Sequence, residues 1–198
     1  MAEGTARMFV ALVPPAAARA HLAAAVEAAT AALPHRAIDG LRWTPAEQWH
    51  LTLAFLAAVP ARRTEDLLRR LERAAARRAP LELALAGGGC FPRPSAARVL
   101  WAGLEPGEAV TGLGRLATGV RAAAERAGAA PDHGRFRAHL TLARRTVPAD
   151  LTGWVDALAG YRGPSWRAGA VELVRSELGR GAGGRPRHVV VGSFPLTG

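Results

Sequence analysis

The chain has no lysine: all 26 of its basic residues are arginine, and against 16 acidic residues they leave a formal net charge of +10. Without lysine there is no Walker phosphate loop, and neither a GxSxG nucleophile elbow nor an HExxH zinc signature occurs. Cys90 is the only cysteine. That excludes an intramolecular disulfide framework and any multi-cysteine metal site, reads as a small buried thiol, and fits a reducing cytoplasm. Nowhere do 18 apolar residues run unbroken, so no membrane span is expected. The apolar opening at residues 8–13 is cut short by Pro14-Pro15 and reads as a first strand rather than a signal peptide. The basic excess favours a polyanionic partner such as nucleic acid. Joint richness in alanine, arginine, glycine and proline also reflects genome composition, so the charge is supporting evidence only.

What is present is a five-residue stretch that occurs twice. His50-Leu51-Thr52-Leu53-Ala54 and His139-Leu140-Thr141-Leu142-Ala143 are identical and lie 89 positions apart in a chain of 198. Each alternates polar and apolar positions as a half-buried strand does, so His and Thr share one face and the leucines the other. A single copy would read as a core strand with satisfied polar groups. Two copies holding the same two polar residues in the same slots point to function. Histidine titrates near neutrality, so two across one groove can act as acid and base. Paired threonines can donate hydrogen bonds to phosphate oxygens. Together they suit phosphodiester cleavage without a metal.

Around these motifs the expected order is β-α-β-α-β-β-α-β-α-β-β. The pattern places strands at residues 8–13, 49–56, 81–85, 98–104, 135–144, 170–174 and 189–191, and helices at 14–33, from Pro60, 108–128 and 148–160. Gly87-Gly88-Gly89 is expected to end the third of these strands, and Thr44-Pro45-Ala46-Glu47 has the form of a capping box before a brief helical turn. This mixture predicts an α+β fold with largely antiparallel sheets. The 89-residue repeat fits one domain, residues 1–198, built of two pseudo-symmetric lobes with outer helices around a central groove. Arg62, Arg63, Arg69, Arg70, Arg73, Arg77 and Arg78 read as a solvated helix face. His21 and His35 read as surface helix positions.

The paired His-x-Thr-x motifs resemble the 2H phosphoesterase superfamily, and the segments 50–56 and 139–144 are similar to its RNA 2′,3′-cyclic phosphodiesterase branch, which is 2′-5′ RNA ligase-like. The resemblance runs from Arg7-Met8-Phe9 to Phe194-Pro195-Leu196, nearly the whole chain. It implies metal-independent hydrolysis of RNA 2′,3′-cyclic phosphate ends to 2′-phosphates by a monomer, with no cofactor. It also implies His50 as proton donor, His139 as proton acceptor, Thr52 and Thr141 on the phosphate, Arg144 beside it, and Phe9 where an aromatic can stack on a base. RNA ends or nucleotide phosphodiesters are the implied partners. Regular strand parity turns Arg144 away from the groove and Arg145 into it, unless a bulge or strand end follows Ala143. Two positions depart from the resemblance: Ala57 replaces a usual glycine at an expected turn, and Arg187-His188-Val189 stands where a tyrosine is common.

Other readings stay open. They are a phosphodiesterase for small cyclic nucleotides or 2′,5′-linked oligonucleotides, reversible 2′-5′ ligation, or an RNA-end-binding module without catalysis. Gly179-Arg180-Gly181-Ala182-Gly183-Gly184 fits GxGxxG but leads into a strand, so it reads as a hairpin tip whose Arg180, Arg185 and Arg187 are candidate RNA contacts. His133 and His188 could join the motif histidines on zinc, but no acidic or cysteine ligand spacing accompanies them.

Overall fold

The computed structural model describes residues 4–132 and 134–198, apart from the side chain of Arg36; His133, weighed above as a zinc ligand, lies outside the described residues. The strands are β1 (Thr5–Leu12), β2 (Arg42–Trp43), β3 (Leu51–Pro60), β4 (Leu81–Phe91), β5 (Ala97–Leu104), β6 (Leu140–Ala149), β7 (Arg162–Ala168), β8 (Ala170–Glu177) and β9 (Arg187–Pro195). The helices are α1 (Ala16–Ala32), the short α2 (His35–Ile38), α3 (Thr64–Ala76), α4 (Glu108–Arg126) and α5 (Thr152–Ala159).

All nine strands join one sheet in the order β7-β4-β5-β6-β3-β1-β8-β9, with β2 added to β6. Every pairing is antiparallel. Read from either end, the order matches itself: β6 with β3, β5 with β1, β4 with β8, β7 with β9. A pseudo-twofold axis therefore passes between β3 and β6, the strands that carry the two motifs, which meet at Leu51 opposite Leu140. The fold is α+β with two pseudo-symmetric lobes, and the seam between them is where the repeated residues lie.

Helices cover the outer face. On α3, Leu67, Leu71 and Ala75 recur at a spacing of four and are buried, while Glu65 and Asp66 sit in the first turn, where acidic charge favours a helix. This helix packs on β8, β9 and α4, and α5 packs on β4. On the sheet's inner side, Phe9, Ala11 and Val174 form a small apolar cluster of their own with Phe55. That cluster floors the groove.

Several boundaries differ from the sequence reading, each for a local reason. The glycine run does not end β4, which continues to Phe91 past a bulge at Gly87, whose φ is 62°. Gly89 has a packing reason: a Cβ there would lie 2.2 Å from the Trp101 ring. The strand β7 escapes the alternation pattern because it contains Gly163 and Pro164, which a strand at the edge of a sheet tolerates. Ala57 lies inside β3, in a bulge opposite Arg7, and not in a turn. The turn at Ala46–Gln48 forms, but no side chain caps it. β6 starts at Leu140, five residues later than expected, so each motif histidine stands one residue before its strand.

Candidate active site

A cavity of about 810 Å³ opens along the seam. Its walls include Arg7 and Phe9 from β1, His50, Thr52, Phe55, Thr141 and Arg144 from the motif segments, and Arg42, Arg185 and His188 from elsewhere. His139 is not among the residues lining this cavity; its ring packs against Phe91 at 4.9 Å and Trp101 at 6.3 Å. Continuing the Leu51–Leu140 register by one residue sets His50 across from Thr141 and His139 across from Thr52. Each lobe thus presents its histidine to the other lobe's threonine. Among the described residues neither threonine hydroxyl has a hydrogen-bond partner, which removes the reading of these strands as satisfied core.

Both imidazoles are held alike. Nδ1 of His50 donates to the Gln48 carbonyl at 2.6 Å, and Nδ1 of His139 donates to the Arg137 carbonyl at 2.8 Å. A carbonyl can only accept, so Nδ1 must carry the proton and Nε2 is left for chemistry. His50 is also stacked on Phe9, with centroids 4.5 Å apart and planes within 16°. The edge of His188 closes on both rings, at 5.0 Å from Phe9 and 5.7 Å from His50. Phe9 is only 5% exposed, lines the cavity, and carries His50 stacked on one face, so it buttresses the imidazole.

Burial pushes the His50 pKa down to about 4; the Gln48 bond opposes this, and the charges of His188, Arg144 and His139 add to it. His139 is lowered too, by burial first and then by Arg144. Free of ligand, both rings are neutral at pH 7. A bound anion would oppose both depressions.

The parity conflict over Arg144 resolves through a bulge inside each motif. Opposite β5, Leu100 faces Ala143 and Trp101 faces Thr141, leaving Leu142 as the extra residue; opposite β1, Val10 faces Ala54 and Ala11 faces Thr52, leaving Leu53 extra. One extra residue reverses the face of everything beyond it. Arg144 therefore shares the groove with Thr141, and Phe55 takes the equivalent place in the other lobe. Arg145 turns away, toward Gly40.

The sequence reading missed Arg7, Arg42 and Phe55. Arg7 was legible, two residues from Phe9 on one strand face. Arg42 was not, because its strand is two residues long and pairs with the distant β6. The hairpin arginines divide: Arg185 lines the cavity, whereas Arg187 is tied to Glu177 at 3.3 Å.

The sequence profile of the family described as LigT like Phosphoesterase matches residues 13–101, the part carrying the first motif. An RNA 2′,3′-cyclic phosphodiesterase of Thermus thermophilus is 36% identical over 97% of this chain and 91% of its own. This chain belongs to the LigT-like phosphoesterases, within the 2H superfamily. A second relative of that name, from Geobacillus stearothermophilus, is 31% identical over 86% of this chain, which spans 51% of that protein. Among solved structures, TT0787 of Thermus thermophilus superposes with a TM-score of 0.74 at 35% identity, covering 97% of this chain and 98% of that one. E. coli LigT complexed with 3′-AMP gives 0.74 at 27% identity, covering 98% and 99%. Like these neighbours, the LigT-like phosphoesterase described here is an α+β molecule with a curled antiparallel sheet.

Proposed function

We propose that this phosphoesterase hydrolyses RNA 2′,3′-cyclic phosphate ends to 2′-phosphates by two-histidine acid/base catalysis, without a metal. The observation that carries the reading is the cross-strand pairing of two backbone-anchored imidazoles with two unpartnered threonines beside Arg144. The names of its relatives from Thermus thermophilus and Geobacillus stearothermophilus support the substrate class.

In this reading the threonine hydroxyls donate to the non-bridging phosphate oxygens, and the Arg144 guanidinium balances the charge that builds on them. Nε2 of His139 takes a proton from water as the water oxygen attacks phosphorus. The bond from phosphorus to the 3′-oxygen breaks, and Nε2–H of His50 protonates that oxygen. A 2′-phosphomonoester and a free 3′-hydroxyl remain. The roles of donor and acceptor come from the family resemblance, since the two motifs are built alike. Before the reaction His50 must hold a proton that its free pKa of about 4 disfavours. The bound phosphate supplies the negative charge that draws it on. All of these groups come from one chain, read as a single domain over residues 1–198 that acts as a monomer in the cytoplasm.

The test is turnover of RNA ending in a 2′,3′-cyclic phosphate in excess EDTA, with the product end identified. Undiminished conversion to a 2′-phosphate is expected. No turnover, or turnover restored only by an added metal, would overturn the reading.

A further inference from the structure

The groove holds more positive charge than one cyclic phosphate can use. A cyclic phosphodiester carries a single negative charge, which Arg144, the threonines and a protonated imidazole already meet. Yet Arg7, Arg42 and Arg185 also line the cavity, and none of its lining residues is acidic. Among the described residues, Arg7, Arg42 and Arg144 have no ion pair and no hydrogen bond.

These guanidiniums gather with no acidic residue among them, an arrangement that an anion lying between them would balance. Arg42 is paired directly across the ladder from Arg144, and like charges opposite one another destabilise a sheet. Burial depresses the Arg144 pKa, and the charges of Arg7 and then Arg42 depress it further, so all three act on one region of the groove. Arg7 arrives from the other lobe, its guanidinium carbon 4.4 Å from the centre of the Phe55 ring. Phe55 is the pseudo-symmetric counterpart of Arg144, so an aromatic stack brings to the first lobe the cation that the second holds in its own strand. Each side of the seam then offers a guanidinium to the groove. The cavity is also roomy, toward the upper end of the range for small-molecule sites.

We infer that Arg7 and Arg42 form a subsite for a second phosphoryl group, so that the preferred substrate carries another phosphate about one nucleotide away from the cyclic one. This rests on the reaction proposed above and deepens it: a bare nucleoside 2′,3′-cyclic phosphate fills half the site. The second phosphate can be the next diester of an RNA chain or a 5′-terminal phosphate, and the two have the same recognition chemistry.

Affinity tests this without depending on turnover. Calorimetric titration of the full chain would compare adenosine 2′-phosphate with adenosine 2′,5′-bisphosphate and with a 5′-hydroxyl diadenylate ending in a 2′-phosphate. The second phosphate is expected to tighten binding by about tenfold or more, the scale of a charge-assisted hydrogen bond. Tightening by the bisphosphate alone assigns the subsite to a terminal phosphate; tightening by the diadenylate assigns it to the RNA chain. Arg7→Gln and Arg42→Gln should each shrink the difference, and Arg42→Lys should keep part of it; both positions are exposed, so the fold tolerates the changes. Equal affinities in the wild type, or a difference that both glutamine variants leave intact, would overturn the subsite. Failure to hydrolyse cyclic ends would instead overturn the proposed reaction, and this comparison of product-like ligands would still be read on its own terms.

Discussion

His50 is asked to hold a proton that its surroundings push away, and this tension yields two predictions. Its folded pKa of about 4 lies below the 6.5 of an unfolded histidine, so between those values the unfolded chain binds more protons. Stability should therefore rise with pH through that window, by up to roughly 3 kcal/mol from this residue. His50→Gln should flatten the slope in denaturant titrations at pH 4.5 and 6.5; an unchanged slope would assign it elsewhere. Catalysis should respond in the same sense. Because both free imidazoles are depressed, the optimum of kcat/KM should fall on the acid side of 6.5, while that of kcat, read with phosphate bound, should lie higher. Coincident optima would mean that the phosphate does not couple to the rings. Thr52 and Thr141 were legible from the sequence as groove-facing residues because their parity with the histidines is local. Phe9 was placed in the right wall, but its stacking on His50 was not legible, because that contact joins two strands and no strand pattern contains it.

At the scale of the element, the bulge at Leu142 decides which arginine reaches the groove. Arg144→Ala would empty that place on the inner face, because the bulge keeps Arg145 on the outer one. Activity should fall by at least about 10²-fold, as expected when a charge-stabilising group leaves an active site. A variant that folds and keeps full activity would show that Arg144 is dispensable. Gly89 supports the same region from below, since the Trp101 ring occupies the space of a side chain. Gly89→Ala should cost about 1–3 kcal/mol, measured as a lower Tm. The sequence raised a bulge only as an alternative to regular parity, one residue later than it occurs, and a glycine run looks like a break unless the neighbouring tryptophan is known.

For the whole molecule, the repeat at 89 residues carried the most information. It implied two lobes and a shared groove, and the strand order about the β3–β6 seam has that symmetry. The order itself was hidden, because pairings such as β3 with β6 and β1 with β8 join residues far apart in the chain, and periodicity reports only near neighbours. The clustering of Arg7, Arg42 and Arg144 was hidden for the same reason. The account's central claim is that the two lobes divide one proton-transfer reaction, His50 giving and His139 taking. It is tested most directly by assaying His50→Ala and His139→Ala on the natural cyclic end and on a phosphodiester whose leaving group needs no protonation. Both variants should lose about 10²–10⁴-fold on the natural end. The activated substrate should rescue much of the loss in His50→Ala and little in His139→Ala. Rescue of His139→Ala alone would exchange the roles, and near-normal hydrolysis of the natural end by either variant would contradict the two-histidine mechanism.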